Sequence, residues 1–205
     1  VPFDSIVTHQ YMTRPGDKTR VFSRDCLEVN FIIDGKPLVL FINHLKSMLD
    51  QKAKSPTESR SNTAPKRASQ CDAILKIINE RFGKNPGTKN WIVLGDMNDY
   101  NDLKCSLKKL IESPWLENVI EKKLKPDENW THYWDTKEIV EDEKYKQIDF
   151  ILPSKSMSAK MMGKPVIVRG GLTTNAVKCK DKRFTGVTAK IVASDHCPVA
   201  VTFNW

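Results

Sequence analysis

A chain of 205 residues, 40% hydrophobic and 28% charged, carries enough apolar material for a compact core, which excludes a wholly disordered segment. No apolar run approaches the ~20 residues of a membrane-spanning helix, so no transmembrane segment is expected, and Val1-Pro2-Phe3-Asp4 lacks the basic and apolar regions of a secretory signal. With 33 Lys and Arg against 25 Asp and Glu, the formal charge is +8, which points to a polyanionic partner such as nucleic acid or an acidic membrane surface.

The predicted elements begin at Arg20. A partly alternating run through Ile33, the turn pair Asp34-Gly35 and the apolar stretch Pro37 to Asn43 read as a β-hairpin whose second strand ends at Asn43-His44. Residues 46 to 65 are rich in Ser, Lys, Thr and Pro and read as a long surface loop. Ala68, Cys71, Ile74, Leu75, Ile78 and Phe82 form one stripe of an amphipathic helix ending before Gly83. Trp91-Ile92-Val93-Leu94 reads as a strand buried on both faces, with Gly95-Asp96 at its end. Asp102 is placed as the cap of a short helix through Ile111. Trp130, Tyr133 and Trp134 read as core aromatics, with a platform for stacking bases as the alternative. Residues 147–152, 166–168, 187–192 and 198–203 read as strands. With no repeat and no linker, residues 1–205 make a single domain.

Charge and cysteine usage add two expectations. Basic residues gather at Lys46, Lys52, Lys54, Arg60, Lys66 and Arg67, and again at Lys164, Arg169, Lys178, Lys180, Lys182, Arg183 and Lys190, with Asp135, Glu138, Glu141, Asp142 and Glu143 between them. They read either as solvated loops or as two flanks of a cleft that accepts phosphates. The five cysteines form no CxxC pair and no zinc spacing. Cys26, Cys71 and Cys197 sit inside apolar patterns as buried thiols. This usage favours a reducing, cytoplasmic setting, with a secreted parent left open should a signal lie upstream.

Four short strings place titratable residues where buried strands run out: Asn43-His44-Leu45-Lys46-Ser47, Gly95-Asp96-Met97-Asn98-Asp99, Gln147-Ile148-Asp149-Phe150 and Ser194-Asp195-His196-Cys197-Pro198. Strand ends of a layered β protein can converge on one rim, so the four could build one site. In this order and spacing, with Arg67 and Ala68 between the first two, they resemble the endonuclease/exonuclease/phosphatase superfamily. The asparagine-histidine string is most like its extracellular bacterial nucleases. The resemblance runs from about Arg20 to Trp205. It implies an α/β fold, an α/β/β/α sandwich of the deoxyribonuclease-I-like type, with the active site at one edge of the paired sheets.

The resemblance also implies a metal-dependent phosphodiester hydrolase, with DNA as the favoured substrate. Such chemistry needs an activated water, neutralised phosphate oxygens and a stabilised leaving oxygen, and carboxylates serve it by holding Mg²⁺ or Mn²⁺. By resemblance Asp195 is the metal-binding carboxylate. Asp96 and Asn98 contact the scissile phosphate and orient the water or protonate the leaving group. His196 binds phosphate or acts as general base, with Asp149 holding its tautomer, and His44 is the second histidine.

The sequence departs from the family at the front. The family's strand-borne Asn and its metal-binding Glu have no counterpart upstream of Val21; Asp4, His9 and Asp17 do not match, and Glu28 lies inside the first hairpin strand. The sequence therefore reads as lacking the N-terminal part of the domain, supplied by the same or another chain. A sheet missing those strands is expected to expose apolar surface. The alternatives are a non-catalytic nucleic-acid-binding or assembly module, and a phosphatase or lipid phosphodiesterase of the same superfamily.

Overall fold

The computed structural model describes residues 1–133, 144–169 and 194–205. Its main feature is a five-stranded sheet of order β1-β2-β3-β4-β7, in which β1 is Ser5–Thr8, β2 Cys26–Ile33, β3 Lys36–His44, β4 Trp91–Asp96 and β7 Asp149–Pro153. The hairpin β2–β3 turns on Asp34 and Gly35, at φ 48° and 73°, with Ile33 opposite Lys36. Two positive φ angles make the tight turn whose twist suits paired strands. Strand β1 lies upstream of the first predicted element, and the first hairpin strand, β2, begins later than the sequence suggests: Val21 and Phe22 enter the core in a bend. Asp25 ends that bend by accepting from Thr8 Oγ1 at 2.6 Å and the His9 amide at 2.9 Å.

The long loop is shorter than expected, because helix α1 spans Pro56–Phe82. Ser55 caps it, accepting from the Glu58 amide at 3.2 Å, while Glu58 reaches back to the Lys54 amide at 2.7 Å. Ser55-Pro56-Thr57-Glu58 is thus a capping signal with proline at the first helical position. Pro65 sits inside the helix without ending it. The apolar stripe of α1 (Cys71, Ile74, Ile77, Ile78) packs on Cys26, Val39, Phe41, Trp91, Val93, Phe150 and Leu152 from one face of the sheet.

Short helix α2 is Lys108–Ile111, and no side chain caps it. Asp102 instead receives two hydrogen bonds from Arg60, at 2.7 and 2.8 Å. Helices α3 (Val119–Lys123) and α4 (Lys155–Ala159) flank β7. Two further strand pairs complete the described residues: β5 (His132–Tyr133) with β6 (Tyr145–Lys146), and β8 (Met161–Ile167) with β9 (Val199–Phe203). Just past β9, the Trp205 indole donates to the Ile33 carbonyl at 2.6 Å.

The other face of the main sheet carries Ile6, Leu27, Val29, Phe31, Leu38, Leu40, Ile42, Ile92, Leu94 and Ile151, as the strand registers show. It bears no charge over this span, yet Ile6 is 49% and Ile42 38% exposed. Val29 and Ile92 on the same face are buried, so the expected exposure of apolar surface is limited to its edges. The predicted strand over 187–192, Trp134, Cys179, the acidic run 135–143 and the basic residues 178–190 lie outside the described residues.

Candidate active site

Registry builds the site. His44 at the end of β3 pairs with Asp96 at the end of the parallel strand β4, and Asp96 pairs with Asp149 at the start of antiparallel β7. Three titratable side chains therefore stand in one row across three strand ends. Gly95 makes the row possible. It has φ 126°, and a Cβ there would meet the Asn43 carbonyl oxygen at 1.9 Å, so only glycine lets the two backbones pass at this point.

Past β4 the chain doubles back through Asn98, whose φ of 52° is left-handed, a conformation asparagine tolerates. Asp96 accepts from the Asn98 backbone at 2.8 Å and from its side-chain amide at 2.9 Å, and from the other side His44 Nε2 lies 3.3 Å away. Burial pushes the Asp96 pKa up, opposed by the Asn98 amide and assisted by the Asp149 charge.

Helix α1 fixes the two loops that carry these groups. Gln70 accepts from the Lys46 amide at 2.9 Å, and Arg67 donates to the Lys46 carbonyl at 3.3 Å. Arg67, fully buried, also donates to Asp99 at 3.3 Å, as does Arg60 at 2.6 Å. Asp99 further accepts from the amides of Tyr100 and Ser106, both at 2.9 Å. The Lys46 ammonium donates to the carbonyls of Ser47 and Leu49. Arg60 and Arg67 are therefore committed to internal carboxylates, a correction to the basic flank in which the sequence places them. A buried carboxylate needs such partners.

The fourth string joins the row from outside the sheet. His196 Nδ1 lies 3.0 Å from Asp149 Oδ2, and this contact raises the His196 pKa against the opposing effect of burial. Asp149 is itself placed by Thr131, whose hydroxyl oxygen accepts from the amides of Ile148 and Asp149 at 3.1 and 3.0 Å. Backbone bonds from Tyr133 to Asp195 and from Cys197 to Thr131 lock the segment 195–197 onto β5.

One site residue escapes the sequence reading. His132 bridges to His196 through the backbone and stands 3.4 Å from Asp195 through Nε2. Burial and the neighbouring His196 lower its pKa. No local pattern in Trp130-Thr131-His132-Tyr133 marks it. Trp130 and Tyr133 are 1% exposed and pack with Cys197 as a small second core, so they offer no stacking platform. Arg24, exposed, donates to the Leu45 carbonyl at 3.3 Å.

The metal expectation can be tested on donors. His132, Asp195 and His196 form a group in which one ligand atom from each lies within 4.8 Å of the others. Two nitrogens and one carboxylate do not suit Mg²⁺, which takes oxygen ligands. Asp96 and Asp149 are engaged by Asn98, His44 and His196.

No family model matches the sequence, and no match was found among curated proteins. Solved structures do match. An endonuclease/exonuclease/phosphatase family protein from Leptotrichia buccalis has TM-score 0.58 and 13% identity over 100% of this chain and 62% of its own. A truncated TDP2 from Caenorhabditis elegans has TM-score 0.59 and 16% identity over 98% of this chain and 65% of its own. A D. rerio TDP2, complexed with single strand DNA product, has TM-score 0.55 and 20% identity over 99% and 68%. The chain thus spans less than two thirds of the length of the first two. At these identities the likeness is one of fold, and the chain has the α/β fold of the endonuclease/exonuclease/phosphatase proteins.

Proposed function

We propose that this chain carries the C-terminal part of a phosphodiester-hydrolase active site that acts on DNA. The observation behind the reading is the row His44, Asp96 and Asp149 across adjoining strand ends, extended by the His196–Asp149 contact. With its pKa raised by Asp149, His196 presents an imidazolium to a phosphate oxygen from Nε2. His44 binds the same phosphate from the opposite end. Asp96, whose pKa burial raises, and Asn98 orient the attacking water or hand a proton to the leaving oxygen. Asp195 is a metal carboxylate. The structural neighbour complexed with single strand DNA product and the net charge of +8 support DNA as the partner.

Plasmid cleavage by the chain with added divalent ion tests this. Asp96→Ala and His196→Ala are each expected to lower the rate by roughly 100-fold or more, the scale of a lost acid–base group. Cleavage unchanged in both variants contradicts the reading. A second reading, an assembly or nucleic-acid-binding module without turnover, draws on the exposed apolar side chains of Ile6 and Ile42, which fit a covering segment from the same or another chain. DNA binding without cleavage supports that reading.

A further inference from the structure

The group His132, Asp195 and His196 is geometrically more than a leftover of the hydrolase site. His132 Nε2 and Asp195 Oδ2 are 3.4 Å apart, about the ligand-to-ligand edge of a tetrahedral ion whose bonds are ~2.0–2.1 Å long, and the three ligand atoms lie within 4.8 Å of one another, so binding an ion draws the group together. The rings of His132 and His196 cross at 65° with centroids 4.9 Å apart, and the backbone bridge between the two residues holds them there. His196 already has its Nδ1 against Asp149, which turns Nε2 outward. A carboxylate behind an imidazole is the arrangement that orients metal-bound histidines.

We propose that His132, Asp195 and His196 bind a borderline divalent transition ion, of which Zn²⁺ is the strongest candidate, in preference to Mg²⁺. Imidazole nitrogen suits Zn²⁺, and affinity at mixed N/O sites rises along the first-row ions to a maximum at Cu²⁺ with Zn²⁺ below it, whereas Mg²⁺ selects oxygen. Three protein ligands leave the fourth position open to water or a phosphate oxygen. A metal-bound histidine is neutral, so the ion and a phosphate held by the His196 imidazolium exclude each other at Nε2, and ion binding is read without any substrate.

The chain has four histidines, so imaging their side-chain nitrogens by NMR on the metal-free protein gives a direct test. One equivalent of Zn²⁺ is expected to shift the His132 and His196 nitrogens and leave His9 and His44 in place, while Mg²⁺ shifts none. Calorimetry should show His132→Gln weakening Zn²⁺ binding more than tenfold, and Asp149→Asn weakening it by roughly 10- to 100-fold through the His196 ring. Should His132→Gln fail to fold by circular dichroism, Asp195→Asn, at a side chain 34% exposed, replaces it with the same expectation. Shifts confined to His9 or His44, no shift with Zn²⁺, equal response to Mg²⁺, or unchanged affinity in the folded variants would overturn the proposal.

Discussion

The Asp149–His196 contact is the part of the candidate site that responds most directly to pH. A histidine whose native pKa is raised stabilises the fold fully below its unfolded value of about 6.5 and loses that contribution as pH climbs through the native value. The cause is the Asp149 hydrogen bond, ahead of burial, which acts the other way. In the metal-free chain, Asp149→Asn is therefore expected to move the His196 titration midpoint to lower pH, as read by NMR; an unmoved midpoint shows that Asp149 does not hold the charge. The sequence was readable here because Asp149, Asp195 and His196 sit in short strings at strand ends. His132 was not, since its place beside Asp195 comes from pairing across 64 residues that no local pattern encodes. Cysteine offered less: burial pushes the Cys26 and Cys197 thiols up to about 12, consistent with inert core groups.

At the level of elements, the site is a consequence of strand register. The turn at Asp34-Gly35 fixes β2 against β3, and Gly95 then lets β4 lie close enough for Asp96 to stand beside His44. Gly95→Ala combines a close backbone approach with a φ that alanine resists, and should destabilise the chain by about 3 kcal/mol in urea melts; a loss under ~0.5 kcal/mol contradicts this account of the β3–β4 crossing. The hairpin and the β4 strand were legible from turn chemistry and an unbroken apolar run. The first turns of α1 were not, because Pro65 reads as a helix breaker. Pro65 has no N–H for the Ser61 carbonyl, a defect worth about 3 kcal/mol in a bare helix. Here the Ser55 cap and the buried contacts of Ser59, Thr63 and Arg67 hold the segment. Asp102 was misread because it closes a local turn, accepting from the Lys104 amide and from Arg60, while the helix begins only at Lys108.

Across the whole molecule, charge and apolar surface divide the labour. One sheet face is covered by α1, and the other carries the apolar side chains with exposed Ile6 and Ile42, while the titratable row stands on that same face at its strand-end edge. Composition predicted a polyanionic partner but could not tell which basic residues are free. Arg60 and Arg67 prove to be internal struts, and the proposed function gives phosphate capture to His44 and His196. Titrating the metal-free chain with a phosphorothioate dinucleotide while observing its four histidine side chains tests a phosphate shared by His44 and His196. His44 and His196 should shift together with one dissociation constant, with His9 unmoved. Separate constants for His44 and His196, or no shift at either, would contradict a shared phosphate.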